Sequence, residues 1–308
     1  MNSHKYSYSV IIPHFSRDGD VSALIRAVSS VPEREDVQVV VVDNSLKPID
    51  ARLFSSRKNV QILFSPNERK AGGARNVGIE NSDAKWLLFL DADDFFKDGA
   101  FDVFDSHFTS GNDIEFSVMT GAYSDDVKKW SDRGEVYAKL VRDFLESGDD
   151  TKLRLEYRSP CAKMVSLDFV NKNKIRFDEV PASNDVMFGL RIGLAAKGIG
   201  ADGRETYVAT VSQGSLTKTL SLENIESRFN VCIDRNRTLV KNGYKKDSSV
   251  LLFIVKSLHF GLKPFLRLLW RAIRSGDLFV GWRNWVGTLV HLFDRKKRND
   301  NKKYQVTE

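Results

Sequence analysis

Short β-branched runs alternate with helical patterns through the first half of the chain. Ser9 to Pro13 is apolar and predicts a strand. Val37 to Val42 is almost unbroken in valine, the pattern of a parallel strand covered on both faces. Val60 to Phe64, Trp86 to Leu90 and Ile114 to Met119 predict three more strands. Helices are predicted between them. They run over Ser22 to Ser30, with Leu24, Ile25 and Val28 on one face, over Ala71 to Asn81 behind the pair Gly72-Gly73, and over Gly99 to Phe108. This alternation predicts an α/β fold with a mostly parallel sheet flanked by helices.

The middle of the chain is mixed. Helices are expected at Glu135 to Ser147 and Asn184 to Lys197, strands at Ala162 to Val165 and Tyr207 to Val211. From Ser221 the pattern is wholly helical. Leu251, Val255, Leu258, Leu262, Phe265, Leu269 and Ile273 recur at helical spacing, as do Lys256, Lys263, Arg267, Arg271 and Arg274. Pro264 should kink or split this helix. A second amphipathic segment, Phe279 to Phe293, carries Trp282 and Trp285 and runs into Arg295-Lys296-Lys297-Arg298. The expected division is an α/β domain over 1–220, a helical amphipathic region over 221–298, and a charged, disordered tail over 299–308.

Composition adds limits. The 308 residues are 42% hydrophobic and 29% charged, enough for one large core plus an appendage. Two distant cysteines, Cys161 and Cys232, argue against a disulfide framework and fit a reducing compartment. The first apolar run is short and reads as a strand, not a leader, and no run of about 18 uncharged apolar residues predicts a spanning helix. The net charge of +6 is uneven: residues 241–303 carry 15 Lys/Arg against 4 Asp/Glu, while the first 240 sum to −4. A local excess of this kind favours an anionic membrane surface as partner. No aromatic spacing supports nucleic-acid binding. The expected location is cytoplasmic, peripheral on the inner face of the cytoplasmic membrane. The competing reading has the helices packed on the α/β domain or joining copies into a homo-oligomer, with their cations merely solvated.

Ligands of open parallel sheets sit at the carboxyl ends of the strands. Three predicted strands end there in Pro13-His14, Asp43-Asn44-Ser45 and Asp91-Ala92-Asp93-Asp94. A bare D-x-D triplet is weak, since Asp18-Gly19-Asp20 is a second copy in a polar loop. Context separates them, because Asp91 follows five apolar residues and three carboxylates exceed what one helix cap needs. Such a cluster suits a hard divalent cation, Mn²⁺ or Mg²⁺, that shares substrate phosphates. Arg75 and Asn76, behind the glycine pair, could meet a phosphate or nucleoside. Asp185 is either a carboxylate that caps a helix or a catalytic group.

Four segments in this order resemble family 2 glycosyltransferases of the GT-A fold, over roughly residues 7–215: Ser9–Pro13, Val41–Ser45, Gly73–Ile79 and Leu88–Asp94. The resemblance implies an inverting transferase of surface-polysaccharide type that uses a nucleotide-sugar donor, a UDP-sugar first among them. It implies that Asp43 contacts the base, that Arg75 and Asn76 line the nucleotide pocket, that Asp91 lies near the ribose, and that Asp93 binds the metal. Pro13 and Ala92 fall in the same nucleotide-sugar motifs. Asn184-Asp185, after Arg176-Phe177-Asp178-Glu179, matches the acceptor-side pair, with Asn in place of the usual Glu, which leaves Asp185 as the base. Some relatives add a histidine metal ligand after the last strand, but Val211 to Ser215 offers none. The implied acceptor is a saccharide, in many relatives lipid-linked. The rival readings are a sugar nucleotidyltransferase, disfavoured by the lack of a glycine-rich loop after Pro13, and a non-catalytic membrane scaffold.

Overall fold

In the computed structural model, residues 4–211 and 220–280 are described. Val37–Asp43 (β2) pairs in parallel with Tyr6–His14 (β1) on one side and Val60–Phe64 (β3) on the other. Ala84–Phe89 (β4) lies in parallel on the other edge of β1. The valine run is buried on both faces, as its unbroken apolar character requires. Helix Ser22–Ser29 (α1) follows β1, and helix Lys70–Glu80 (α2) follows β3.

Beyond β4 the sheet becomes mixed. Lys163–Ser166 (β8) pairs antiparallel with β4 and with Ile114–Tyr123 (β6). Ile199–Val211 (β9) runs parallel to β6, and the two-residue strand Phe95–Phe96 (β5) closes antiparallel on β9. Trp130–Ser131 (β7) pairs with β6 outside this path, so the order is β3-β2-β1-β4-β8-β6-β9-β5. The further α-helices of this part of the chain are Ala100–Ser106 (α3), Glu135–Ser147 (α4), Thr151–Glu156 (α5), Leu167–Lys172 (α6) and Val186–Ala195 (α7).

Several elements differ from their sequence patterns for a common reason. Strands β5 and β7 are too short for any periodicity, and α5 and α6 span barely two turns. Strand β9 begins eight residues before Tyr207, because Ile199 to Glu205 joins the sheet by backbone pairing with β6 while its side chains stay partly or fully exposed. Hydrophobic patterning is blind to such a strand.

The described residues divide into two compact units, 4–180 with 187–211, and 181–186 with 220–280. The second contains Leu222–Lys241 (α8), Leu251–Ser257 (α9) and Leu262–Ser275 (α10). Ser221 caps α8 by accepting the Asn224 N–H at 3.1 Å. Ile225, Phe229, Ile233, Ile254, Leu268 and Ala272 form the unit's apolar core. Polar groups cross it as well. The fully buried Arg235 donates from Nε to Asp247 at 2.9 Å. Asn236 donates to the Ser248 carbonyl at 2.8 Å and to Asp277 at 3.0 Å, and Lys246 pairs with Asp277 at 2.9 Å.

The helix expected across Leu251 to Arg274 is split, but Gly261 makes the break, at φ +104°. Pro264 falls in the first turn of α10, where a missing N–H costs nothing. Most of the Phe279 to Phe293 segment, the stretch from Ser212 to Ser215 and the tail after 298 lie outside the described residues.

Glycine 78 sets how closely α2 meets β1. A Cβ there would lie 2.3 Å from Ile11 Cγ2, on a fully buried, branched side chain. Gly78→Val is expected to lower unfolding free energy by roughly 1–3 kcal/mol through overpacking, read as a lower urea midpoint at unchanged slope.

Candidate active site

The strand register gathers three chain ends. His14 lies opposite Asp43, Pro13 opposite Val42, and Ile11 opposite Phe89, so β1, β2 and β4 terminate side by side. The Leu90 N–H donates to the Ile11 carbonyl at 3.0 Å and carries the pairing one residue further. At that point Asp91, Ala92, Asp93 and Asp94 turn away from the sheet, closed by an Asp94 N–H to Asp91 carbonyl bond at 3.0 Å.

The three carboxylates of this turn have different surroundings. Asp91 accepts from the Arg75 guanidinium at 2.5 Å, and Arg75, from α2, is itself buried against the Phe177 ring. Asp93 keeps an exposed side chain. Its carboxyl is nevertheless held above the ordinary carboxylate range, first because neighbouring protein crowds out water, then because Asp91 repels its charge. Arg133 and Arg26 act in the opposite sense. Arg26 also donates to the Asp93 carbonyl at 2.7 Å, and Arg133 donates to the Thr210 carbonyl at 2.5 Å.

Asp94 is buried. It accepts the Tyr207 hydroxyl at 2.8 Å and the Thr210 N–H at 2.6 Å. Burial pushes its proton affinity well up, and repulsion from Asp93 and Asp91 adds to this. Tyr207 Oη in turn accepts the Asp91 N–H at 3.1 Å, and Thr210 Oγ1 donates to the Asp93 carbonyl at 2.8 Å. The third carboxylate is thus an internal clamp, and only Asp91 and Asp93 face outward as potential ligands.

The other residues singled out by the sequence take varied positions. Asp43 is buried, with one oxygen accepting from Ser45 N–H and Oγ and the other accepting the Ile49 N–H at 3.0 Å, so its carboxylate orders the loop after β2. Asn76 exchanges two hydrogen bonds with the Phe177 backbone, at 3.0 and 2.8 Å, and straps α2 to the 177–179 segment. Glu179 there is held by Arg69 at 2.6 Å. Pro13 is buried within β1, and Ala92 packs partly against the main core. Asp185 belongs to the helical unit, directly before α7, in a turn where Ser183 adopts a strained φ of +61°. His14 is buried, and its proton affinity is lowered by that burial.

Asp18-Gly19-Asp20 is a loop, as its polar context implied. Asp20 accepts the Ser22 N–H at 2.9 Å and leads into α1. Sequence reasoning missed Arg26, Arg133, Tyr207 and Thr210. The two strand residues lie in a run whose pattern signals only a strand, and the arginines had no motif around them. Among the described residues no three His, Cys, Asp or Glu side chains converge on a point where a metal could sit.

Comparison with known proteins agrees with this geometry. The family described as Glycosyl transferase family 2 matches residues 9–171. The succinoglycan biosynthesis protein ExoO of Rhizobium meliloti is 24% identical over 220 residues, 66% of this chain and 61% of that protein. The poly(ribitol-phosphate) beta-N-acetylglucosaminyltransferase TarS of Staphylococcus aureus is 23% identical over 222 residues, 67% of this chain and 36% of that protein. The chain therefore spans less than two thirds of either relative. The crystal structure of S. aureus TarS 1–349 in complex with UDP-GlcNAc superposes with a TM-score of 0.59 at 16% identity, covering 96% of this chain and 78% of that one. The fold is GT-A.

The clamp around Asp94 is testable by itself. Tyr207→Phe removes one donor and one acceptor from a fully buried site and leaves the Asp94 carboxyl and the Asp91 N–H short of partners. A loss of about 1–3 kcal/mol in denaturant unfolding is expected, and an unchanged midpoint would show that the hydroxyl carries no structural weight.

Proposed function

The chain belongs to glycosyl transferase family 2, and from that membership we propose that it moves a sugar from a UDP-sugar to a hydroxyl of a saccharide acceptor. The observation that carries the reading is the paired outward carboxylates Asp91 and Asp93 at the carboxyl end of β4, with Arg75, Arg26 and Arg133 around them. The choice of UDP is supported by the TarS structures, solved with UDP and with UDP-GlcNAc. The names of ExoO, a succinoglycan biosynthesis protein, and TarS, a poly(ribitol-phosphate) beta-N-acetylglucosaminyltransferase, support an acceptor that is part of a polymer under synthesis; a lipid-linked saccharide is the form proposed for this chain.

Cleavage of the sugar–phosphate bond builds negative charge on the departing nucleoside diphosphate. Arg26 and Arg133 bring fixed positive charge to the turn where that charge would develop. In this reading Asp91, which pairs with Arg75, accepts from the ribose, Asp43 contacts the base, Arg75 and Asn76 line the nucleotide pocket, and Pro13 and Ala92 belong to the same nucleotide-sugar motifs. The residues fit a cation on limited terms: one exposed carboxylate, Asp93, with Asp91 beside it and no third protein ligand among the described residues. Such a site suits Mn²⁺ or Mg²⁺ completed by diphosphate oxygens and water, and the ion would supply Lewis-acid stabilisation of the leaving group.

Asp185 is assigned as the base. It takes the acceptor hydroxyl's proton while the acceptor oxygen bonds to the anomeric carbon and the bond to phosphate breaks. A single displacement of this kind inverts the anomeric centre.

Asp93→Ala is expected to abolish transfer and the Mn²⁺-dependent rise in melting temperature that UDP gives the full chain. Retained metal-dependent stabilisation would remove Asp93 from the metal site. Asp185→Asn should preserve UDP binding and lower kcat by about 100-fold or more, whereas near-normal turnover would leave Asp185 as a helix-start residue. A chain that neither binds UDP with Mn²⁺ nor consumes any UDP-sugar would be a scaffold of the same fold.

A further inference from the structure

Helix α10 is divided lengthwise into three sectors. Pro264, Leu268 and Ala272 turn inward and are buried. The sector expected from sequence to be the apolar face is only partly inward: Phe265 and Leu269 are half-buried, but Leu262 and Ile273 are exposed. With Leu266 and Trp270 they form a separate outward stripe, at 63, 51, 57 and 58% exposure for Leu262, Leu266, Trp270 and Ile273 in chain order. The spacing of three to four residues puts all four on one side of the helix. Lys263, Arg267 and Arg274 occupy the sector alongside, and Arg274 lies over the Trp270 ring at 5.2 Å.

A four-residue apolar stripe of this kind is uncommon on a solvent-facing helix and marks a contact surface. Its charge surroundings select the occupant. From Ser248 to Gly276 there are five Lys/Arg and no Asp or Glu. A second copy meeting this face about a two-fold axis would set the same cations against each other. A surface that is apolar in depth and anionic at its rim satisfies both sectors at once.

We propose that the outward face of α10, Leu262-Leu266-Trp270-Ile273 flanked by Lys263, Arg267 and Arg274, docks on an anionic phospholipid surface. The aliphatic side chains and the indole enter the boundary between headgroups and acyl chains, and the helix lies in the plane of the interface. The cations remain at headgroup level and draw the helix to the anionic leaflet. Arg267 also pairs with Glu226 of α8, which ties the docking helix to its own unit. The inference does not depend on the transfer reaction.

The test uses the full chain and sedimentation with phosphatidylcholine vesicles, with and without phosphatidylglycerol. Binding is expected only to the phosphatidylglycerol vesicles and should fall as salt is raised. Leu266→Glu/Trp270→Glu should weaken it by about tenfold or more, and Lys263→Glu/Arg274→Glu by a similar factor. All four positions are exposed, so circular dichroism and melting temperature should match the parent protein. No salt-sensitive binding by the parent chain would overturn the proposal. Unchanged binding by Leu266→Glu/Trp270→Glu would move the docking surface elsewhere. A parent chain that ignores vesicles but dissociates from oligomer to monomer in that variant would give the face to a second copy instead.

Discussion

The architecture of the site depends on one buried hydrogen-bonded carboxyl group. Asp94 sits where β4 leaves the sheet, and its two oxygens accept from Tyr207 and Thr210 of β9. An unpaired carboxylate in that position would cost several kcal/mol. With two donors, and with its proton held more tightly than usual, the group becomes a fixed joint. The same Tyr207 oxygen receives the Asp91 N–H, and Thr210 holds the Asp93 carbonyl. A backbone turn that would otherwise be a surface loop is therefore tied at three places, and only the Asp91 and Asp93 carboxylates are left pointing outward.

A second constraint acts through α2. This helix has no apolar stripe to speak of, and it buries glycine, arginine and asparagine. Those residues are buried because each has a specific task against a neighbour. Gly78 lets the helix approach Ile11, Asn76 completes the Phe177 backbone, and Arg75 holds Asp91. Phe177 stacks on Phe188 at 3.9 Å and meets Phe89 edge-on at 5.1 Å, which fixes the far side of the strap. Removing the Asn76 side chain would leave the buried Phe177 N–H without its acceptor, so these contacts hold the segment in place although its helix propensity is poor.

The helical unit is organised differently. A polar network runs from its interior to its surface, with Arg235, Asn236 and Asp277 buried and their partners Asp247 and Lys246 reaching solvent, while part of its apolar surface faces outward on α10. The buried Arg235 and Asn236 of α8 reach Asp247 before α9 and Asp277 after α10, and so tie α8 to both segments. The unit thus keeps a defined shape with a modest apolar core, which leaves Leu262, Leu266, Trp270 and Ile273 available for contact with a separate surface.

The sequence alone determined the strands whose side chains are buried on both faces, the helices with strong periodicity, and the family to which the ordered motifs belong. Hydrophobic burial is the dominant force there, and it leaves its period in the chain. Asp91 and Asp93 were legible for the same reason, because carboxylates directly after a buried strand stand out. Tertiary structure alone decided what the neighbouring residues do. Asp94 differs from Asp93 only in which partner it meets, and that partner lies 113 residues away. Asp43 and Asn76 stand in motif positions that suggest ligand contacts, and the fold adds that Asp43 orders its own loop through Ser45 and Ile49 while Asn76 holds the Phe177 backbone 101 residues away. The exposed opening of β9 carries no apolar pattern and exists through pairing with β6. On α10 leucine occurs on both the inward and the outward side, as Leu268 and as Leu262 and Leu266, and the packing of α8 and α9 decides which of them reach solvent. Side-chain partners brought from distant parts of the chain have no local signature, so these roles could be assigned only once the chain was folded.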